Sequence, residues 1–200
     1  LVQPRPEDAR SYALRAGGAG LITRFGWRAL AWGDIQTTYD LKSTTKSIGV
    51  MALGLAVDDR LMLLGDRARL HLPEIGVPPA ENALSGRVHD ITIVQLATHT
   101  AGFDKSRAFP ALLDPPGRVW RYSDGGANWL ADVLTTAYAD DLREVLFARV
   151  FAFLGIDRAD LTWRRNTSRN PTLRGIERRE FGSGISANVD AMTKVGYLLL

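Results

Sequence analysis

The chain contains no cysteine among its 200 residues. Disulfides, thiolate zinc sites and cysteine nucleophiles are therefore excluded. The compartment stays open, because a cysteine-free protein is stable in either redox environment. Histidine is scarce: His71, His89 and His99 are the full set, and they lack metal-ligand spacing. No metal is expected, and nothing calls for an organic cofactor. No apolar run approaches the roughly 20 residues that a bilayer span needs, and no secretory signal is visible. Neither sign of charge dominates: 25 basic residues face 22 acidic ones, for a net +3. That surplus is too small to suggest nucleic acid. The densest basic stretch, residues 164–179, holds six arginines diluted by Glu177, with Glu180 just beyond. It reads as a solvated loop. The sharper alternative is a site rim that attracts anionic substrates.

What is present suits a globular domain, with 46% hydrophobic and 24% charged residues. Residues 1–10 are polar with two prolines and read as an arm. Residues 20–32 read as two strands joined by a tight turn at Gly26, followed by a loop over 34–42. Residues 44–57 predict a helix that is apolar nearly all round and therefore buried, with Gly49 and Gly54 allowing close approach. Further helices are expected over 91–98, 128–138, 141–154 and 189–200, with Phe153 on the apolar face of the third. Residues 164–179 read as irregular. The expectation is an α+β protein. Residues 1–40 form an arm and the first two strands, and residues 41–200 form a mostly helical domain. The chain starts at Leu1 and stops inside a helical pattern, so it is expected to be a piece of a longer protein.

Ser43-Thr44-Thr45-Lys46 is the first chemical candidate. A serine opening a helix and a lysine three residues on lie one turn apart on neighbouring faces. A hydroxyl is a weak nucleophile until a base takes its proton. A lysine serves as that base only when burial lowers its pKa from about 10.4 by several units. The plainer reading is a capping serine and a surface lysine. Tyr122-Ser123-Asp124 is the second candidate. A tyrosine beside an ammonium can carry a proton between groups. The plainer reading is a turn tyrosine, with Asp124 capping the next helix. His99 invites a serine–histidine triad, but it sits at a helix end and is assigned a structural role. Gly182-Ser183-Gly184 could line a cleft but lacks the context of a phosphate loop.

In order and spacing, four stretches resemble the class C serine β-lactamases and their relatives among the DD-peptidases and esterases. They are residues 41–47 around Ser-x-x-Lys, residues 91–103, residues 116–124 ending in Tyr122-Ser123-Asp124, and residues 182–187 leading to Asp190. The resemblance implies a helical domain packed on an antiparallel sheet, here reduced to its first hairpin, with the site between them. It implies that Ser43 is acylated and that Lys46 and Tyr122 share the proton work. It also implies a small-molecule or peptide substrate. Two departures stand out. The family usually has Tyr-x-Asn, and here Asp124 replaces the amide; a carboxylate accepts hydrogen bonds but cannot donate one to a substrate carbonyl. The family's third motif, Lys-Thr-Gly or His-x-Gly, is not found, so the final strands are expected to lie outside this chain. The expected function is a serine hydrolase acting through an acyl-enzyme on an ester, amide or β-lactam carbonyl. Esters and amides are slightly favoured. The alternative is an inactive relative that binds peptides or acylated ligands. Oligomeric state and compartment are left open.

Overall fold

A computed structural model describes residues 6–15 and 17–200. The first half of the expected arm, residues 1–5, lies outside them. From Pro6 the chain is a helix, α1 (Pro6–Arg15). Proline is tolerated at a first helical position, where its missing N–H has no partner to lose. The hairpin forms as expected from β1 (Gly20–Arg24) and β2 (Trp27–Trp32), antiparallel, with Gly20 opposite Trp32. Phe25 and Gly26 both take positive φ, 52° and 79°. That is the primed turn whose twist matches the strands.

The region read as a loop before Ser43 holds a two-residue strand, β3 (Tyr39–Asp40). The expected long helix follows in two parts, α2 (Thr44–Gly49) and α3 (Met51–Asp58). Val50 divides them, yet its N–H still bonds the Lys46 carbonyl at 3.0 Å. Ile48, Ala52, Leu53 and Ala56 are buried, whereas Val50 and Gly54 face outward, so the helix has a solvent side after all. Two short helices come next, α4 (Ala80–Leu84) and α5 (Ile93–Ala97).

The central element is α6 (Asp124–Tyr138), which starts four residues earlier than its apolar periodicity suggests. Every residue from Asp124 to Thr135 is buried. Two glycines at its start disguise it, because glycine is a poor helix former. They are there for space: a Cβ on Gly125 would lie 2.3 Å from the Ser106 carbonyl. After α6 comes α7 (Leu142–Leu146), which runs into a π-helical turn over Phe147–Phe151. The extra residue in that turn rotates the apolar face. Phe147 and Phe151 are buried in consequence, and Phe153 is exposed rather than on the core face.

The stretch read as irregular, residues 164–179, carries two short strands, β5 (Thr172–Leu173) and β6 (Ile176–Glu177), and it is flanked by β4 (Leu161–Trp163) and β7 (Ile185–Ala187). β7 pairs antiparallel with β3 on one side and β4 on the other. Strands of two or three residues are too short to show alternation in sequence. The chain continues into α8 (Val189–Leu198). The protein is thus α+β: a helical body with small antiparallel sheets.

The arginine-rich stretch is only partly solvated. Arg169, Arg178 and Arg179 are buried. Asp132 on α6 accepts from Arg169 at 2.7 Å and from Arg178 at 3.0 Å. Burial pushes the Asp132 carboxyl up and the Arg169 guanidinium down to about 10, and their mutual attraction opposes both shifts. Arg164, Arg165 and Arg174 remain exposed.

Candidate active site

Ser43 follows a strained step in the backbone. Lys42 has φ 49°, a conformation that costs a residue with a side chain some energy. Asp40, at the end of β3, compensates by accepting from the Lys42 N–H at 3.0 Å and its ammonium at 2.6 Å. Ser43 occupies the N-cap position of α2, but its backbone is helical and its side chain caps nothing. The hydroxyl is exposed and free for other contacts. Thr45, fully buried, accepts from the Ile185 N–H at 2.9 Å and so ties α2 to β7.

Across the cleft, α6 delivers the second group. Its cap is Ser123, whose hydroxyl accepts from the Gly126 N–H at 2.8 Å. Asp124 is therefore not the cap expected from sequence. It is the first helical residue, and its carboxylate turns toward Lys46.

Ser43, Lys46, Tyr122 and Asp124 come together as one hydrogen-bonded cluster. The Lys46 ammonium lies 2.6 Å from the Tyr122 hydroxyl, 2.6 Å from Asp124 Oδ1 and 2.6 Å from the Gly182 carbonyl. Three acceptors use all three N–H donors of an ammonium. Ser43 Oγ lies farther from Lys46, at 3.5 Å, but only 2.7 Å from the Tyr122 hydroxyl. The two side chains of the Lys46–Asp124 pair are each 12% exposed, so the pair is shielded but not dry. Among the described residues no group of three or more His, Asp or Glu side chains could hold a metal ion. No helix there is long and apolar enough to cross a membrane.

The profile of the beta-lactamase family matches residues 8–199. The chain belongs to that family. Solved structures agree at the level of fold. A beta-lactamase from Mycobacterium bovis is 20% identical and superposes with a TM-score of 0.60 over 84% of this chain and 50% of its own. A class C beta-lactamase is 14% identical, with a TM-score of 0.67 over 89% of this chain and 58% of its own. A simvastatin synthase mutant from Aspergillus terreus is 21% identical, with a TM-score of 0.61 over 81% and 51%. The chain thus spans about half the length of these structures. No curated protein matches it.

This beta-lactamase-family site contains one group that sequence reasoning passed over, the Gly182 carbonyl. Asn128 aims it: its side-chain oxygen accepts from the Phe181 N–H at 2.9 Å and the Gly182 N–H at 3.3 Å. Asn128 lies four residues after Asp124, on the same face of α6. That spacing is the signal that could have found it. Buried Glu180 accepts from Asn128 at 3.2 Å and from the Gly182 N–H at 3.1 Å. His99 lies against the Tyr122 ring, and neither of its ring nitrogens bonds Ser43.

Proposed function

We propose that this chain carries the nucleophile and the proton-transfer groups of a serine hydrolase that works through an acyl-enzyme, on an ester or amide in preference to a β-lactam. One observation carries the reading: Lys46 has three acceptors at 2.6 Å, and Tyr122 lies much nearer Ser43 Oγ, at 2.7 Å, than Lys46 does, at 3.5 Å. Ser43 Oγ attacks the substrate carbonyl carbon as its proton passes to the Tyr122 oxygen, which enters this step as the phenolate. The N–H that Lys46 gives to that oxygen stabilises negative charge on it. Tyr122 then hands the proton to the leaving group as the tetrahedral intermediate collapses to the acyl-enzyme. In the second half Tyr122 takes a proton from water, the hydroxide attacks the acyl carbon, and the proton returns to Ser43. Lys46 holds the charge in place throughout and is not itself the base.

Asp124 supports the preference for esters and amides. A carboxylate engaged with Lys46 can only accept, so it offers no donor to a carbonyl carried beside a β-lactam ring. The family name does not decide the point, since one fold hosts several acyl-transfer reactions.

The test uses the full-length protein that carries this chain, treated with a fluorophosphonate and with a labelled penicillin. An adduct on Ser43 is expected, formed faster with the phosphonate. Lys46→Ala and Tyr122→Phe should each slow it by about a hundredfold or more. A folded protein that takes no adduct would reject the reading and favour a binding protein.

A further inference from the structure

His99 lies two residues beyond the end of α5, with φ 59°. Left-handed backbone is uncommon for residues with side chains, and histidine is among the types that adopt it more readily. From there it makes three contacts with one short segment. Its carbonyl accepts from the Arg121 N–H at 2.8 Å. Its Nδ1 accepts from the Ser123 N–H at 3.3 Å. Its ring packs on the Tyr122 ring, with centroids 4.8 Å apart and planes 31° from parallel. Tyr122 is therefore held by the residue before it, the residue after it and one face of its ring. All three holds come from His99.

We infer that His99 is a positioning residue for Tyr122, fixing the phenol where it reaches Ser43 Oγ and Lys46 together. The inference rests on the acyl-transfer reading above and deepens it. Two short hydrogen bonds converge on the phenol oxygen, 2.7 Å to Ser43 and 2.6 Å to Lys46. A tilt of the ring lengthens both, and misplacement by about 1 Å typically costs about a hundredfold in rate.

The chemistry of the imidazole suits this task. An Nδ1 that accepts a hydrogen bond leaves the ring proton on Nε2 in the neutral form. Burial and the nearby Lys46 charge hold the imidazole below its ordinary value of 6.5, partly opposed by Asp124. At neutral pH that shift favours the uncharged ring beside Tyr122, which then adds no second cation to the one that Lys46 supplies. A glycine could adopt the same φ, but it would provide neither the acceptor nor the ring.

The test compares His99→Asn and His99→Phe in the full-length protein, each alone and combined with Tyr122→Phe. Asparagine keeps a side-chain acceptor and tolerates the left-handed backbone, while phenylalanine keeps the ring. The readout is fluorophosphonate labelling of Ser43, resolved into reversible affinity and maximal rate. Slow backgrounds are followed at raised probe concentration. Melting temperature checks the fold. We expect each single variant to lower the maximal rate by about tenfold or more while affinity stays the same. With Tyr122→Phe already present, neither change should slow labelling further, because the group that His99 positions is gone. Equal slowing in both backgrounds would overturn the inference, and so would no slowing at all. If His99→Phe fails to fold, His99→Asn carries the comparison. A wild-type protein that does not label would instead refute the nucleophile, which is a separate failure.

Discussion

Asp124 gives Lys46 its counter-charge and also places a carboxylate in the first turn of α6, where the helix dipole favours it. Asp124→Asn keeps an acceptor for Lys46 but removes the charge and adds a donor toward the cleft. We expect this variant to melt within a few degrees of the parent, about what 1 kcal/mol produces. Its ratio of penicillin to fluorophosphonate labelling should rise by up to about tenfold, the worth of one neutral hydrogen bond. An unchanged ratio would remove Asp124 from substrate selection. Ser43, Lys46, Tyr122 and Asp124 were legible because each sits at a helix start within a short pattern of side-chain chemistry. The Gly182 carbonyl was not, since every residue has a carbonyl and only the fold aims this one. Ser123 was likewise overlooked as the cap, because Asp124 beside it is an equally good capping residue by type.

At the scale of the element, the two glycines of the divided helix after Ser43 part company. A Cβ on Gly49, the last residue of α2, would lie 2.7 Å from the Phe181 ring, which is itself buried and cannot move aside cheaply. A Cβ on Gly54, in α3, would meet nothing within 4 Å. Gly49→Ala should therefore destabilise the protein by about 1–3 kcal/mol, the usual toll of overpacking. Gly54→Ala should stabilise it by about 0.5–1 kcal/mol through helix propensity. Urea unfolding of the two variants checks both signs. From sequence the two positions look alike, because helical periodicity does not say which turn meets a neighbour. The long helix and the front hairpin were readable from their apolar patterns. β3 and β7, two and three residues long, were not. Nor was the π-helical turn that carries Phe153 off the core.

Across the whole molecule, one side chain fastens the arginine-rich stretch to the helix behind the site. Arg169 donates to the Ala108 carbonyl at 2.6 Å, the Gly125 carbonyl at 3.0 Å and Asp132 at 2.7 Å. Its guanidinium lies over the rings of Phe109 and Trp129, 4.7 and 4.3 Å from their centroids. Arg169→Leu would leave buried Asp132 with one guanidinium in place of two. We expect it to cost about 3–5 kcal/mol, read by urea unfolding. A loss under about 1 kcal/mol would mean that Arg178 suffices. Composition alone made these arginines a solvated loop, because partners 37 and 46 residues away leave no local trace.

The partners of Lys46 stand 76, 78 and 136 residues downstream of it. A ribosome adding about 5–20 residues per second takes roughly seven to thirty seconds to cover the longest of those gaps. During that interval the nascent chain displays Ser43 and Lys46 with neither phenol nor carboxylate to poise them, and then without the carbonyl. The cluster around Ser43 and Lys46 can therefore close only once Gly182 has left the exit tunnel, so its assembly is set by the order of chain growth.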